Sequence, residues 1–444
     1  MYIYSKIPCD MKIKRDRYLK QLISKKWNGK IKTVTGIRRC GKSYLLNELF
    51  VEHLLSEGVN SSDIIILALD DASNARYRNP LELDSYVRNL TADKSHKYYV
   101  LLDEIQKVES IRNPYLPEDS KEKISFVDVL LGLMKLSNVD VYVTGSNSKM
   151  LSKDILTEFR DRGDEVHVCP LTFEEFHAAY DSDKRHAWRE FWYYGGMPYV
   201  MQLTTHEEKA KYLKELFQLT YIKDVVERNK IKADENVLGI LLDITASSVG
   251  SLTNPTRLSN TFESEQKIKI KSETVSKYLE YFIDSFLLRQ AQRYDVKGRS
   301  YISTPLKYYY TDVGLRNARL NFRQQEENHI MENVLYNELV ARGFSVDVGV
   351  VPYHWKSEDG KLQHSQLEID FIVNKGYKRY YIQSALNVDT EEKRIQETNS
   401  LTRVDDSFQK IVVVKEDIIP WTDDAGIFYI GIQEFLLDYI DKSM

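Results

Sequence analysis

Apolar residues in the first third of the chain form short, nearly continuous runs, and stretches with helical spacing lie between them. Each run ends in polar residues. The runs lie at positions 31–34, 63–71, 98–104 and 139–147. Strands without apolar–polar alternation are typical of buried parallel strands, and in open α/β sheets the functional residues follow their C-terminal ends. The pattern therefore predicts an α/β N-terminal domain with a parallel sheet, which we place at residues 1–176.

The middle of the chain changes to helical spacing and ends in a strand-like pair. Helices are predicted at 212–227, 237–248 and 272–288, with a short helix at 253–260. Residues 293–299 are predicted to be a turn between two strands. Short helices followed by such a hairpin indicate a winged helix-turn-helix, whose recognition helix would start near Ser272. We assign this helical region with its winged helix to residues 177–305.

The last part of the chain, residues 306–444, alternates between helices and strands again. The predicted elements are a helix at 330–342, strands at 344–351, 367–373, 379–383 and 410–414, and a final helix at 432–440. A helix with an acid, a hairpin ending in an acid and a strand with a third polar group form the layout of the PD-(D/E)xK nuclease fold. Glu332, Asp370 and Gln383 occupy these three positions. We therefore predict a C-terminal α/β domain that is restriction-endonuclease-like.

The last of these three positions lacks the groups that an active nuclease uses. Such enzymes carry a third carboxylate and a lysine two residues apart, which hold metal and activate water. Here Gln383 supplies a neutral amide, and Ala385 supplies no amine. We expect a nuclease-like binding domain that does not cleave. Glu368 either is a surface residue or shares a strand face with Asp370.

Length and composition limit the classes of protein to consider. A chain of 444 residues is long enough for about three domains, and its 42% hydrophobic and 29% charged residues lie in the soluble globular range. No window approaches 18 uninterrupted apolar residues, and the N-terminus lacks the features of a secretory signal. We expect a cytoplasmic protein without a membrane span. The three distant cysteines predict reduced thiols, and neither a disulfide framework nor zinc.

Residues 36–43 form a complete G-x-x-x-x-G-K-S motif between the first strand and a helical stretch. Glycines let the backbone curl so that several N–H groups point at one anion, and the N-terminal end of the following helix adds positive charge. Lys42 would reach the β- and γ-phosphates of a nucleoside triphosphate, and Ser43 would coordinate Mg²⁺. The predicted nucleotide-binding residues are Gly36, Arg38, Arg39, Cys40, Gly41, Lys42, Ser43 and Tyr44.

Polar residues at the ends of two later strands supply the metal ligand and the general base that the phosphate loop lacks. Asp103 is the predicted magnesium partner, and Glu104 is the predicted general base for the attacking water. Asn147 would orient that water or sense the γ-phosphate, and it also fits a helix cap. Arg160 and Arg162 are candidates for an arginine finger that completes a neighbouring subunit's site. Surface arginines paired with nearby aspartates are the alternative.

Charge gives only a local indication of a nucleic-acid partner. The net charge of −4 provides no overall attraction to DNA. Residues 266–299, however, carry eight Lys or Arg against four Asp or Glu, and this excess could meet DNA phosphates. Lys277 and Arg299 are the candidate contacts. A winged helix used for packing or for protein contacts is the alternative.

As a set, these motifs resemble one known family, the prokaryotic AAA+-superfamily ATPases of unknown physiological role, whose C-terminal domain also has no known function. The resemblance extends from about residue 15 to the end of the chain. It rests on the phosphate loop with its paired arginines, the Leu-Leu-Asp-Glu-Ile-Gln string at 101–106, the Thr-Gly-Ser-Asn strand end at 144–147, and strings at 169–176, 194–198, 221–228, 307–316 and 367–373.

The resemblance implies ATP as the nucleotide, Mg²⁺ as the ion and an intracellular setting. It supports Lys42 and Ser43 on the phosphates and metal, Asp103 and Glu104 on the metal and water, and Asn147 as the sensor. It does not identify the finger, because the family usually has a Gly-Arg pair where residues 160–163 of this chain are Arg-Asp-Arg-Gly.

The leading hypothesis is therefore an ATPase whose Mg²⁺-dependent hydrolysis rearranges the attached C-terminal domains, with DNA as a candidate partner. One alternative is a nucleotide-regulated switch or scaffold with negligible turnover. Another is a DNA-processing enzyme that uses the nuclease-like domain. An arginine finger would fit a homo-oligomer, and a switch would fit a protein client.

Overall fold

The computed structural model describes residues 12–145, 162–229, 231, 235–323, 326–356, 359 and 362–444. These residues form two compact units. The N-terminal unit contains Ile13–Cys169 and Asp284–Phe286, and the C-terminal unit contains Pro170–Ile283 and Leu287–Met444. A short piece of the predicted helical region thus belongs to the N-terminal unit.

The N-terminal unit is built on a five-stranded sheet in which every neighbouring pair is parallel. Its strands are β1 Ile31–Thr35, β2 Ile64–Ala68, β3 Tyr98–Asp103, β6 Val139–Thr144 and β7 Gly163–His167, and β4 Ile111–Arg112 pairs separately with β5 Lys123–Ile124. The strand order is β2-β3-β6-β1-β7. Every residue of β1, β3 and β6 is buried, which explains why their sequences lack alternation. The predicted parallel α/β sheet is confirmed.

Strand β7 was not predicted from the sequence. It lies at one edge of the sheet beside β1, and four of its five residues are only partly buried or exposed. An edge strand needs no continuous apolar run, so its sequence, Gly-Asp-Glu-Val-His, carries no strand signal.

Helices precede or connect the strands in the described part of this unit. They are α1 Asp16–Ser24, α2, which runs through Lys42–Tyr44, Leu45–Phe50 and Val51–Ser56, α3 Pro80–Leu90 and α4 Phe126–Leu133. Helix α4 begins at a capping box in which Ser125 and Asp128 bond each other's backbone N–H groups. It ends at Leu133.

The C-terminal unit contains a mixed eight-stranded sheet. Its strands are β8 Leu288–Asp295, β9 Ser300–Tyr310, β10 Ser345–Lys356, β11 Leu362–Lys375, β12 Lys378–Ala385, β13 Gln409–Val414, β14 Trp421–Thr422 and β15 Ile427–Gly431. The order is β14-β15-β13-β12-β11-β10-β8-β9. The hairpin predicted as the wing, β8 with β9, forms one edge of this sheet because β8 pairs in parallel with β10. Strand β9 is continuous through residues 305 and 306, where we placed a domain boundary.

Helices cover much of the remaining C-terminal unit. They are α5 Phe173–Ala179, α6 Ala187–Tyr194, α7, which runs through His206–Glu215, Leu216–Ile222 and Lys223–Asn229, α8 Glu235–Ser247, α9 Pro255–Gln266, α10 Ser272–Asp284, α11 Val313–Arg319, α12 Glu327–Ala341, α13 Glu391–Thr398, and α14, which runs through Ile432–Glu434, Phe435–Tyr439 and Ile440–Lys442. The short helix predicted at 253–260 is the longer α9. Helix α13 was missed, because its sequence is almost entirely polar.

Candidate nucleotide site and C-terminal cavity

The phosphate loop leaves the C-terminal end of β1 and has the backbone geometry that its glycines allow. Gly36 has φ of 140° and Gly41 has φ of 99°, both in the region that glycine favours. A β-carbon built at Gly36 would lie 2.1 Å from the carbonyl oxygen of Val168. The loop therefore excludes any side chain at position 36. Arg39 also has positive φ, 65°, and its side chain is exposed.

Lys42 is the first residue of α2, and its side chain lies inside the loop. Its Nζ donates hydrogen bonds to the carbonyl oxygens of Gly36 and Ile37, each at 3.0 Å. The side chain is buried, whereas Ser43 and Tyr44 are partly exposed. The amine is thus held at the centre of the curl, where a bound anion would meet the loop.

Asp103 is the last residue of β3 and Glu104 follows it, two strands away from β1 and its phosphate loop. Asp103 is 2% exposed and accepts a hydrogen bond from the hydroxyl of Thr144 on the adjacent strand β6. The same hydroxyl accepts the backbone N–H of Glu104 at 3.0 Å. Glu104 has left-handed backbone angles, φ 54° and ψ 49°, and its carboxylate accepts a hydrogen bond from the Gln106 amide.

One contact joins this strand end to the phosphate-loop helix. The Asn47 Nδ2 lies 3.4 Å from Asp103 Oδ2. Asn47 is four residues after Ser43, so both project from the same side of α2. This places Ser43 and Asp103 on one side of the site. Oxygen donors of this kind fit Mg²⁺, which is usually bound by one or two protein oxygens together with phosphate and water.

Two residues of this set were missed by the sequence reasoning. Thr144 was seen only as part of a strand-end string, and Asn47 as part of a helix. The available signal was positional, because Thr144 ends the strand next to β3 and Asn47 lies one turn beyond Ser43.

The remaining predicted residues of this site have different outcomes. Asn147 and Arg160 lie outside the described residues. Arg162 immediately precedes β7, and its carbonyl oxygen accepts the N–H of Ile31 at the start of β1. Since β1 and β7 are parallel, Arg162 lies at the N-terminal ends of these strands, whereas the phosphate loop follows the C-terminal end of β1. The structure does not bring it to the loop of its own chain.

In the C-terminal unit, Glu332, Asp370 and Gln383 line one cavity of about 420 Å³. Glu332 projects from α12, Asp370 from β11 and Gln383 from β12. The Oε1 of Gln383 lies 3.4 Å from the backbone nitrogen of Asp370, and its amide also bonds Glu397 of α13. The three predicted positions therefore come together, and Glu397 joins them.

Residue 385 on β12 is alanine and supplies no amine, as the sequence indicates, but a lysine from another strand contacts the cavity residue Glu332. This lysine is Lys307 of β9, with Nζ 2.7 Å from Glu332 and 2.6 Å from Glu368. Burial opposes the charged form, but the carboxylates of Glu332, Asp370 and Glu368 outweigh it, so the pKa of Lys307 is raised. Glu368 is thus an ion-pair partner, although part of its side chain is exposed.

Asp370 is the most perturbed acid of this cavity. Burial and then the neighbouring Glu332 carboxylate raise its pKa well above the usual value, although Lys307 and the N–H of Ser384 favour the charged form. Within the part of the chain that the structure describes, no group of three or more His, Cys, Asp or Glu side chains is arranged to hold a metal ion.

Lys277 and Arg299, the candidate DNA contacts, are both exposed. Lys277 lies on α10, with its Nζ 5.8 Å from the centre of the Tyr281 ring. Arg299 precedes β9 in the β8–β9 turn and has φ of 53°. Neither is held in a buried ion pair, so both side chains are accessible to a partner.

Three family models match successive parts of the chain. Residues 28–177 match the AAA domain, residues 185–326 match a domain of unknown function (DUF8612), and residues 327–435 match another domain of unknown function (DUF4143). An uncharacterized protein of Haemophilus influenzae is 30% identical over 431 residues, covering 96% of this chain and 98% of that protein. The chain belongs to the family of that protein.

Two other proteins are similar to much of the chain. An uncharacterized protein of Methanocaldococcus jannaschii is 27% identical over 390 residues, covering 83% of this chain and 77% of that protein. The Walker-type ATPase of Pyrococcus abyssi is 14% identical, with a TM-score of 0.47, and the match covers 70% of this chain and 96% of that one. The AAA domain contains the phosphate loop, Asp103 and Glu104, and it supports nucleotide binding or hydrolysis. Among the described helices, none is long and apolar enough to cross a membrane.

Proposed function

We propose that the chain binds ATP with Mg²⁺ and hydrolyses the ATP in its AAA domain. The observation that carries this proposal is a hydrogen-bonded set between α2 and the ends of β3 and β6. Asn47 contacts Asp103, and Thr144 contacts both Asp103 and the N–H of Glu104. The helix that follows the phosphate loop is thereby tied to Asp103, and Thr144 joins Asp103 to Glu104.

Each side chain has a separate role in this proposal. Lys42, now bonded to two loop carbonyls, would bind the β- and γ-phosphates together with the loop N–H groups. Ser43 and Asp103 would hold Mg²⁺, which supplies positive charge against the phosphates when bound. Glu104 would accept the proton of the attacking water. Thr144 would fix the positions of both acids.

Steady-state phosphate release with and without Mg²⁺ tests the proposal. Removal of a general base costs about 10²- to 10⁴-fold, so Glu104→Gln should bind ATP but turn it over at least about a hundredfold more slowly. Lys42→Ala should lose ATP binding. Lys135→Ala, which alters an exposed lysine of the same unit, is the control and should match wild type.

Two results would change the conclusion. Undiminished turnover in purified Lys42→Ala would refute the site assignment. Trapped ATP without phosphate release over hours in the wild type would instead favour the nucleotide-regulated switch or scaffold.

We further propose that ATP hydrolysis rearranges the C-terminal unit and that DNA is its candidate partner through Lys277 and Arg299. The support is the exposure of both side chains and the local excess of basic residues. Duplex DNA should stimulate the ATPase, with an effect that decreases as salt rises. The double variant Lys277→Ala, Arg299→Ala should lose the stimulation and keep the basal rate, and unchanged stimulation would exclude these contacts.

We also propose that Arg162 or Arg160 acts as an arginine finger in the hydrolysis step and that Asn147 acts as the sensor. Arg162 lies at the opposite end of the strands from its own phosphate loop. It could therefore act only on nucleotide bound to a neighbouring subunit. Mixing Arg162→Ala with Lys42→Ala protein would test this. Recovery of activity in the mixture would support a finger supplied between subunits, and equal activity of Arg162→Ala and wild type would exclude Arg162.

A second candidate function is metal-dependent cleavage of DNA in the C-terminal cavity. The observation that favours it is Lys307, an amine that contacts Glu332 and interacts with Asp370. Incubation of DNA with Mg²⁺ or Mn²⁺ should then give products that Asp370→Ala abolishes. Absence of cutting in both metals would remove this candidate.

A further inference from the structure

Arg15 precedes α1 and lies outside the residues that match the AAA domain, yet it contacts the phosphate loop. Its side chain is almost completely buried, with 2% of the residue exposed. One terminal nitrogen donates a hydrogen bond to the carbonyl oxygen of Cys40 at 3.3 Å, and the other donates to the carbonyl oxygen of Cys169 at 2.6 Å. Cys40 is the residue before Gly41 in the loop. A guanidinium thus bridges the loop and the chain after β7.

Other contacts join the same two segments. The Cys40 thiol donates to the Val168 carbonyl oxygen at 3.2 Å, and Gly36 packs directly against that carbonyl. The hydroxyl of Tyr18 on α1 accepts the N–H of Cys169 at 3.2 Å, and the Arg15 guanidinium lies 4.8 Å from the Tyr18 ring centre. The first residue of the loop, Gly36, and its central Cys40 therefore rest on Val168, and Tyr18 of α1 contacts the adjacent Cys169.

The chemistry of this bridge is specific to arginine. A guanidinium is planar and presents several donors in fixed directions, so it can reach two carbonyl oxygens at once and stack on an aromatic ring. A lysine amine is a single point on a flexible stem and cannot span both oxygens in the same way. Because carbonyl oxygens carry no proton to exchange, the bridge has the same form across the physiological pH range.

Cys169 is the last residue of the N-terminal unit before the chain enters the C-terminal unit at Pro170. We propose that Arg15 is a positioning residue that holds the phosphate loop in its anion-binding shape and transmits the state of the loop to Val168–Cys169. This inference rests on the proposed binding of ATP. It adds a residue outside the AAA domain to that site, and it gives a path by which nucleotide state reaches the chain connection to the C-terminal unit.

The test measures ATP affinity and amide hydrogen exchange in the full chain. In wild type, Mg²⁺ with ATP should slow exchange in peptides that cover residues 163–169. Arg15→Lys keeps the positive charge but loses the guanidinium, whose two terminal nitrogens bond the two carbonyl oxygens. A hydrogen bond from a charged group contributes about 1.5–3 kcal/mol, so we expect the ATP dissociation constant to rise about tenfold or more. The nucleotide-dependent slowing at 163–169 should also disappear.

Arg112→Lys, an exposed arginine in the same unit, is the matched control and should behave as wild type in both measurements. Tyr18→Phe removes only the hydroxyl that bonds Cys169 and provides a second variant if Arg15→Lys does not fold. It should reduce the slowing at 163–169 and leave ATP affinity within about twofold, because it does not touch the loop.

The outcomes separate the two proposals. Wild type that does not bind ATP refutes the proposed function itself. Wild type that binds, with Arg15→Lys equal to it in affinity and in exchange, refutes the role of Arg15 alone. An Arg15→Lys protein that only unfolds at lower temperature, with unchanged affinity and exchange, would also overturn the proposal, because the bridge would then be purely structural. Undiminished slowing in Tyr18→Phe would contradict transmission through Cys169.

Discussion

The hydroxyl of Thr144 donates a hydrogen bond to the carboxylate of Asp103, its neighbour across the β3–β6 pair. The same oxygen accepts the N–H of Glu104, whose backbone is in the left-handed region. Left-handed conformations cost about 1–2 kcal/mol for residues other than glycine, so this contact helps to fix an unfavourable backbone. Thr144 thus positions the proposed metal ligand and the proposed base together.

We predict that Thr144→Val reduces ATP turnover about tenfold or more while ATP affinity changes little. Valine has nearly the same shape but cannot make either hydrogen bond, and each such bond is worth about 1 kcal/mol or more when a charged group takes part. Turnover and equilibrium ATP binding, measured on the same samples, check this. Thr33→Val is the control, because the Thr33 hydroxyl is buried in the same sheet without a hydrogen-bond partner. Equal turnover in the two variants would contradict the role of Thr144.

The sequence predicted this half of the molecule well because its information is local. The phosphate loop is a contiguous motif. Strands β1, β3 and β6 are fully buried, and β2 is a continuous apolar run, so each of the four can be recognised from its own sequence. Asn47 and Arg15 were not foreseen. Their importance comes from what lies beside them in the fold, and neither belongs to a motif.

We predict that Gly36→Ala abolishes ATP binding. A β-carbon at this position would meet the Val168 carbonyl at 2.1 Å, so either the loop or β7 must move. Gly58→Ala is the control. Gly58 also has positive φ, 86°, but its β-carbon would meet no atom within 4 Å. Alanine at 58 should cost about 1–2 kcal/mol of stability and leave ATP binding intact. Isothermal titration with ATP and thermal unfolding separate the two effects, and retained binding in Gly36→Ala would show that the loop tolerates displacement.

We predict that Lys307→Met lowers the free energy of unfolding by about 3–5 kcal/mol, because removal of one partner leaves buried carboxylates uncompensated. Lys415→Met is the control. Lys415 makes a pair of similar length with Glu327, but that pair is solvent-exposed and should contribute about 1 kcal/mol or less. Urea denaturation of both variants gives the comparison. Adding Glu332→Gln to Lys307→Met should recover part of the lost free energy of unfolding. If Lys307→Met and Lys415→Met lower the free energy of unfolding equally, the surroundings of Lys307 are open to water.

Lys307 illustrates why the C-terminal site was predicted only in part. Glu332, Asp370 and Gln383 follow the order of a known layout along the chain, so the sequence brought them together. Lys307 and Glu397 come from β9 and α13, outside that layout, and only the sheet pairing and the packing of α13 bring Lys307 to Glu332 and Glu397 to Gln383.

Two of the strings that carried the family resemblance are explained by their contact with each other. A β-carbon at Gly314 would lie 1.9 Å from the Tyr194 carbonyl oxygen, so the 194–198 and 307–316 strings require glycine where they meet. Asp312 accepts the N–H of Gly196 at 2.6 Å and caps α11 through the N–H of Leu315 at 3.0 Å. Packing therefore accounts for Gly196, Asp312 and Gly314 in these strings, which the sequence alone could not distinguish from a binding role.

The same Asp312 gives the protein a predictable pH dependence. Burial raises its pKa to about 6, although the backbone N–H groups of Gly196 and Leu315 favour the charged form. The folded state therefore holds the Asp312 proton more tightly than the unfolded state, whose aspartate pKa is about 3.9. Stability from this group is fully present below about pH 4 and is lost as pH rises to about 6, by up to about 3 kcal/mol.

Asp312→Asn removes this titration and disturbs the hydrogen bond from Gly196, so we expect a variant that is less stable than wild type at low pH. The difference should narrow as pH rises from about 4 to about 7, because wild type alone loses the proton-linked stability in that window. Urea denaturation of both proteins across this pH range measures the difference in their free energies of unfolding. Asp438→Asn, at an exposed residue of α14, is the control, and its difference from wild type should not narrow with pH in this way. A constant difference between Asp312→Asn and wild type would mean that the backbone donors outweigh burial and that Asp312 is charged throughout.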